Sequence, residues 1–146
     1  MIINKKLKKN YLIYKKYIAG LSLIGLEAKS LRKNDANLNN AYVIFKKNEL
    51  FIINLHIADY KYNQSFLNYD PTRNRKLLLK KQEINKLALK IKQDKLILIP
   101  ESIFLKNNFF KLSFYTAKRI KKHDLRLKIK KNDINKNLQK KYHHTI

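Results

Sequence analysis

Residues 70–79 place a turn, three basic side chains and an apolar run next to one another. The opening Asp-Pro pair predicts a turn, because proline fixes its own φ and disfavours the helical region for the residue before it. Arg73, Arg75 and Lys76 follow, and guanidinium groups bind phosphate oxygens through paired hydrogen bonds. Three leucines then bury themselves and orient the basic group. The spacing favours phosphate binding, and the alternative is a loop of solvated charges entering a core helix.

Catalytic and metal-binding patterns are weak. None of the four histidines has metal-ligand spacing to a second histidine and a carboxylate. The absence of cysteine excludes disulfides and thiolate chemistry, and two distant glycines cannot form a nucleotide-binding glycine loop. Glu27 and Lys29 could do acid–base work, but an ion pair or structural contact is the favoured interpretation. We therefore predict no enzyme, no metal and no cofactor.

The charge balance predicts a polyanionic partner. Lysine and arginine number 34 and aspartate and glutamate 10, so the formal net charge is +24. Such an excess favours nucleic acid or an anionic membrane surface. No apolar run approaches the roughly 18 residues of a spanning helix, and the first residues lack the apolar centre of a signal peptide. We expect a soluble, cytoplasmic protein.

The pattern of apolar residues predicts elements in an order that is not alternating βα, so a parallel sheet is disfavoured. A short helix is expected at residues 26–33, with Leu26, Leu31 and Ala28 packing inward. A longer helix is expected at 81–93, where Ile84, Leu87, Ala88 and Ile91 form a helical stripe. A long polar loop is expected at 56–76, and residues 1–10 are expected to be loosely held. The predicted strands are 11–24 with a bend at Ala19-Gly20, 41–45, 50–55, 96–99, 103–105 and 109–115. A hairpin loop is predicted at 46–49, and Pro100 and Asn107-Asn108 are predicted to break the later strands. The prediction is a mainly β fold: a small closed antiparallel OB-type barrel of about six strands with flanking helices and a basic C-terminal tail.

The barrel domain is predicted at residues 1–117, and residues 118–146 are predicted to be a basic tail that is disordered alone. In the long loop, Tyr60, Tyr62, Phe66 and Tyr69 precede the basic cluster. Aromatic side chains next to cations allow base stacking beside phosphate contacts. The alternative is that these aromatic residues close one end of the barrel.

Several segments together resemble a known family. The residues that carry the resemblance are Gly20-Leu21, Gly25-Leu26-Glu27-Ala28-Lys29-Ser30-Leu31-Arg32, Ala36-Asn37-Leu38, Ala41-Tyr42-Val43, Glu49-Leu50-Phe51, His56-Ile57, Asp70-Pro71-Thr72-Arg73-Asn74-Arg75-Lys76-Leu77-Leu78-Leu79, Ala117-Lys118 and His123-Asp124-Leu125-Arg126. In order and spacing the chain resembles SmpB, the SsrA-binding (tmRNA-binding) protein family.

The resemblance implies an OB-type barrel that binds the tRNA-like domain of tmRNA and brings it to stalled ribosomes. It implies that the tail enters the empty mRNA channel and decoding centre of the small subunit and becomes helical there, which allows rescue and peptide tagging. It also implies an RNA-binding protein without chemistry or cofactor of its own, with no membrane partner, that is a monomer when free.

The resemblance also implies which residues bind RNA. Those matching the RNA-binding part are Asn4, Lys5, Lys6, Glu27, Lys29, Ser30, Arg73, Arg75, Lys76, Leu78, Lys111 and Lys118. Those in the decoding-centre tail are His123, Asp124, Arg126, Lys128, Lys130 and Lys131. The chain departs from the family pattern at Ile18, where an acidic residue is usual, at Tyr69, at Arg119-Ile120 and at Leu125.

Two other functions remain open from the residues alone. A general structural RNA binder, such as a ribosomal protein, would share the charge and the barrel without the ordered family segments. A hydrolase or RNA-modifying enzyme would need a catalytic group, for which Glu27 is the candidate. Preference for the tRNA-like fold at raised salt separates specific binding from binding by charge.

Overall fold

The structure is a computed structural model that describes residues 1–5, 7, 11–60, 68–121, 126–127, 130–131 and 133–134. Within these ranges all strand pairs are antiparallel. The elements are β1 (Ile2–Ile3), β2 (Tyr11–Leu21), α1 (Gly25–Arg32), β3 (Ala36–Asn37), β4 (Tyr42–Lys46), β5 (Glu49–Ile53), β6 (His56–Ile57), β7 (Arg75–Leu78), α2 (Lys81–Asp94), β8 (Ile97–Lys106) and β9 (Phe109–Arg119). The prediction of a mainly β, antiparallel fold with two helices is confirmed.

Six of the described strands form a ring in the order β8-β4-β5-β7-β2-β9, which closes through pairing of β9 with β8. Strand β1 adds to the outside of β8, and β3 pairs with β6 separately. Inside the ring, Phe114 is fully buried and stacks on Tyr17 with ring centroids 5.7 Å apart. Aliphatic side chains from all six strands are buried in the same core.

Asparagine-rich turns close two hairpins. Lys47 and Asn48 join β4 to β5 with φ of 49° and 60°, and Asn107 and Asn108 join β8 to β9 with φ of 50° and 62°. Two positive φ values in a two-residue loop match the twist of antiparallel strands, and asparagine tolerates this region better than most residues. Both predicted turns are confirmed.

The prediction missed four strands, the two-residue β1, β3 and β6 and the longer β7, and it divided another strand. Residues 96–99 and 103–105 were predicted as separate strands with a break at Pro100, but β8 runs continuously past the proline. A register shift between Pro100 and Ser102 accommodates the missing N–H. The short β6 lies inside the predicted 56–76 loop, and β7 begins inside it and continues to Leu78. In β7 the buried residues are Arg75 and Leu77. Because a charged residue occupies an inward position, the sequence does not show the alternation of apolar and polar residues that marks a strand.

Strand β2 differs from its prediction in detail. It ends at Leu21, and Gly20 stays within the ladder where a bend was predicted. The irregularity lies instead between Ile13 and Lys16. The short helix α1 is confirmed, and Leu31 is buried as predicted, whereas Leu26 and Ala28 are only partly buried.

Helix α2 confirms the predicted helical stripe. Leu87 is buried, and Ile84 and Ile91 pack partly against the core. Among the described residues, no helix is both long and apolar enough to cross a membrane.

The two ends of the domain are better ordered than the sequence suggests. Residues 1–10 were predicted to be loosely held, but Ile2 and Ile3 pair with β8 and Leu7 is buried. Strand β9 passes the predicted 117/118 boundary, since Lys118 and Arg119 pair with β2. The described tail residues have helical backbone and are exposed; they are Arg126, Leu127, Lys130, Lys131, Asp133 and Ile134.

Candidate nucleic-acid interface

Helix α1 delivers a buried carboxylate to the segment that precedes β7. Glu27 is 1 % exposed, and its Oε2 accepts a hydrogen bond from the backbone N–H of Ile24, just before the helix, at 3.0 Å. Arg73 donates to both of its oxygens, from Nε at 2.7 Å and from Nη2 at 2.5 Å. Arg75 donates from Nε to Oε1 at 2.8 Å. One carboxylate therefore holds two arginines in fixed orientations.

Arg75 has no exposed surface, and all its contacts are internal. Besides Glu27, its guanidinium donates to the carbonyl oxygens of Leu55 at 2.6 Å, Arg73 at 3.0 Å and Pro71 at 3.0 Å. A buried charge is tolerated when it is paired and its donors are satisfied. The pair thus ties α1, the residue before β6 and the turn at residue 71 together.

The electrostatics favour an ionised Glu27 and Arg73 and a neutral Tyr69. Burial raises the pKa of Glu27, but the hydrogen bonds from Arg73, from the Ile24 N–H and from Arg75 outweigh it and leave the pKa lowered. The hydrogen bond to Glu27 raises the pKa of Arg73. Burial raises the pKa of Tyr69, whose hydroxyl donates to the carbonyl of Ile57 at 3.0 Å. We call Glu27, Tyr69, Arg73 and Arg75 the Glu27 cluster.

The three predicted basic side chains do not form one exposed fork. Arg75 points inward, and the Arg73 side chain is one-third exposed. Lys76 is exposed on the opposite face of β7, and its ammonium group forms an ion pair with Glu49 of the neighbouring strand β5. The Arg75 side chain has no exposed surface and contacts no second molecule in this conformation. Arg75 therefore has a positioning role. Arg73 donates to Glu27 through Nε and Nη2, and its Nη1 makes no hydrogen bond to Glu27.

Strand register brings a second set of predicted residues into a row. Gly20 of β2 pairs with Leu78 of β7 on one side and with Lys111 of β9 on the other. A Cβ at position 20 would lie 3.2 Å from the Cβ of Leu78, so glycine suits this close approach. Because side chains alternate along a strand, Ile18 and Lys76 lie on the same outer face as this row.

We call Ile18, Gly20, Lys76, Leu78 and Lys111 the outer strip. Ile18 on β2 is 49 % exposed, and Leu78 on the neighbouring strand β7 is 53 % exposed. Two adjacent aliphatic side chains are rarely left this exposed in a sheet. The strip combines an exposed apolar centre with an ammonium group on each side. Ile18 and Gly20 were not among the predicted contacts, since no sequence pattern shows which face of β2 is covered.

The exposed side of α1 carries a third group. The Nζ of Lys29 lies 5.4 Å and the Nζ of Lys33 4.7 Å from the centroid of the Tyr60 ring. Tyr60 therefore lies among cations, as its predicted stacking role requires, while Tyr69 belongs to the Glu27 cluster. Tyr62 and Phe66 lie outside the described residues.

The remaining predicted contacts are scattered. Asn4 is 7 % exposed and donates from its side chain to the Pro100 carbonyl at 3.0 Å, and Ser30 is 2 % exposed. Lys5 and Lys118 are exposed, as are the tail residues Arg126, Lys130 and Lys131. Lys6, His123, Asp124 and Lys128 lie outside the described residues. Across the described part of the chain, no group of three or more His, Cys, Asp or Glu could hold a metal ion.

The family model for SmpB protein matches residues 1–144. The chain belongs to the SmpB family. The SsrA-binding protein of Malacoplasma penetrans is 41% identical over 140 residues, which cover 96% of this chain and 95% of that protein. The SsrA-binding protein of Mycoplasmoides gallisepticum is 45% identical over 140 residues, with 96% and 97% covered. The predicted family is confirmed.

A solved structure of the same family has a matching fold. It is described as "tmRNA-SmpB: a journey to the center of the bacterial ribosome". The match has a TM-score of 0.66 and 37% sequence identity, and it covers 83% of this chain and 84% of that chain.

Proposed function

We propose that this protein binds the tRNA-like domain of tmRNA and brings it to stalled ribosomes in trans-translation. Membership of the SmpB family and the SsrA-binding relatives support this function. The observation that carries it is the strand register that aligns Leu78, Gly20 and Lys111 on one exposed face. No single sequence segment contains this alignment, which the closed ring creates.

The outer strip binds RNA through two kinds of contact. Ile18 and Leu78 form an apolar surface on which an unpaired base or a ribose packs. Lys76 and Lys111 flank it and contact phosphates, and Lys76 exchanges its exposed Glu49 partner for phosphate at low cost because an exposed ion pair is worth about 1 kcal/mol or less. The base contact supplies selectivity and the ammonium groups supply affinity.

The Glu27 cluster supports this surface from behind. Arg73 presents its exposed edge to a phosphate, and Glu27 holds its guanidinium in one orientation through two hydrogen bonds. Arg75 fixes Glu27 in turn, so its effect on RNA binding passes through Arg73. Lys29 adds a phosphate contact from α1, beside Tyr60.

The finer architecture follows from the same role. We propose that the six-strand ring is an OB-type barrel, which its closed antiparallel order supports. Residues 118–146 act as a basic tail that enters the empty mRNA channel and decoding centre, supported by the exposed Arg126, Lys130 and Lys131. The protein acts in the cytoplasm as an RNA-binding factor without catalysis and is a monomer when free.

Substitution of the exposed leucine of the outer strip tests the assignment. Leu78→Ser removes an apolar contact from a side chain that is 53 % exposed, so the fold is retained. The affinity for the isolated tRNA-like domain is expected to fall roughly tenfold, on the scale of a lost stacking contact. The matched control is Leu89→Ser on α2, where the leucine is 62 % exposed and does not belong to the strip. Equal affinities for both variants would contradict the proposed interface.

A further inference from the structure

A β-bulge in β2 positions the exposed side chain of Tyr14 beside the C-terminal part of the neighbouring strand β9. Two residues of β2, Tyr14 and Lys15, oppose the single residue Thr116 of β9. Thr116 is fully buried, and its hydroxyl accepts the backbone N–H of Lys15 at 3.1 Å and lies 3.4 Å from the Lys15 carbonyl, to which it donates. One side chain thus satisfies both backbone polar groups of the bulged residue, which makes the bulge a defined part of the fold.

The bulge places Tyr14 beside Lys118, while the Nζ of the bulged Lys15 lies 5.4 Å from the centroid of the Tyr17 ring. Tyr14 is 50 % exposed, and the Nζ of Lys118 lies 5.9 Å from the centroid of its ring. Leu12, which pairs with Lys118 across the ladder, is 51 % exposed, and Lys15 is exposed as well. We call Leu12, Tyr14, Lys15 and Lys118 the Tyr14 platform.

An exposed tyrosine of this kind is poorly explained by packing. Aromatic side chains in the strands of a small domain contribute to stability when they are buried, as Tyr17 does against Phe114. Tyr14 leaves half its surface in water, beside the exposed Leu12 and the ammonium group of Lys118, and the exposed Lys15 follows it in the chain. Proteins that hold single-stranded nucleic acid combine these features, an aromatic face for the base and cations along the backbone.

We propose that the Tyr14 platform binds an unpaired RNA base. The base stacks on the Tyr14 ring, and Lys15 and Lys118 contact the phosphates on either side of it. This inference rests on the proposed RNA-binding function and adds a second contact surface to it. Tyr14 lies four residues before Ile18, roughly 13 Å along an extended strand, so the platform and the outer strip take different nucleotides.

The chain contains no tryptophan, which permits a direct test. Tyr14→Trp places a single tryptophan in the platform, which can be excited apart from the remaining tyrosines, and Tyr42→Trp places one on β4, where the tyrosine is 42 % exposed. Each full-length variant is titrated with octauridylate. Saturable quenching is expected for Tyr14→Trp, because the base stacks on the indole, and not for Tyr42→Trp. Absent quenching at position 14, or equal quenching at both positions, would overturn the proposal.

Affinity measurements separate stacking from charge. Tyr14→Ala is expected to weaken octauridylate binding roughly tenfold, whereas Tyr14→Phe keeps the aromatic face and binds like the parent. If phenylalanine weakens binding as much as alanine, the ring does not stack on a base and the platform is wrong.

The natural base comes from tmRNA or from ribosomal RNA, and both present an unpaired base between phosphates. Quenching of Tyr14→Trp by the tRNA-like domain assigns the first source, and quenching by small ribosomal subunits assigns the second. If the parent chain binds the tRNA-like domain but octauridylate leaves Tyr14→Trp unquenched, the platform alone fails. If the parent chain does not prefer the tRNA-like domain, the proposed function fails, whatever the platform does.

Discussion

At the scale of single residues, the Glu27 cluster separates two arginines that are two positions apart in sequence. Arg75 is fully buried and donates five hydrogen bonds to protein acceptors, counting the one to the Tyr69 hydroxyl at 3.3 Å. Arg73 shares the same carboxylate but keeps one-third of its side chain exposed. The two residues therefore differ in role: Arg75 stabilises the fold, and Arg73 is the one that we propose contacts RNA.

Alanine substitutions test this division. Arg75→Ala leaves the Glu27 carboxylate short of a buried partner and strips the Leu55 carbonyl of a donor, so we expect a loss of about 3–5 kcal/mol in unfolding free energy. Arg73→Ala is expected to cost about 1 kcal/mol and to weaken binding of the tRNA-like domain several-fold. Urea unfolding and binding titrations measure the two effects. Equal loss of stability in both variants would refute the division.

The sequence predicted the importance of both arginines but not their orientations. A charged side chain is exposed in most folds, so the pattern 73–76 gave no sign that Arg75 points inward. Its buried partner lies 48 residues earlier, on α1. Glu27 was correctly interpreted as a structural ion pair, because a glutamate at the start of a short helix has few other uses without a catalytic partner.

At the scale of elements, turn chemistry was more readable than strand boundaries. Both asparagine-containing hairpin turns were visible in the sequence because positive φ values restrict the residue types. Strand β7 was missed because an arginine occupies an inward position, and β8 was divided because a bulge beside Pro100 keeps the ladder intact. In each case a contact distant in sequence overrides the local signal.

The turn between β8 and β9 carries a prediction of its own. Asn108 has a φ of 62°, which glycine adopts without strain and a β-branched residue resists. Asn108→Gly is expected to preserve or slightly raise the melting temperature, and Asn108→Val to reduce stability by about 1–2 kcal/mol. Thermal unfolding followed by circular dichroism measures both. A valine variant as stable as the parent would show that this turn does not control pairing of the two strands.

At the scale of the whole molecule, a net charge of +24 surrounds one closed ring of strands. Such charge attracts any RNA, so affinity alone does not define the function. Binding to a particular RNA depends instead on where the contact groups lie, and the outer strip, the Glu27 cluster and the Tyr14 platform occupy defined places on the ring. The sequence predicted the mainly β fold and the family, while the arrangement of contacts on a common face required the strand register.

Removal of the tail tests how the parts divide the work. Lys118 and Arg119 belong to β9, so the deletion begins at residue 120 to preserve the ladder. We expect the truncated protein to bind the tRNA-like domain within about threefold of the parent, because the outer strip is intact, and to lose peptide tagging of stalled ribosomes. In vitro tagging on a truncated message provides the measurement. Normal tagging without the tail would contradict its assignment.

The most direct test of the central claim is competition between the tRNA-like domain of tmRNA and bulk tRNA for the full-length protein near physiological salt. Charge of this magnitude binds both RNAs, but a surface shaped for one of them discriminates. We expect a strong preference for the tRNA-like domain that persists as salt rises and declines in Leu78→Ser. Equal binding of the two RNAs, at every salt concentration, would contradict it and would indicate a general RNA-binding protein.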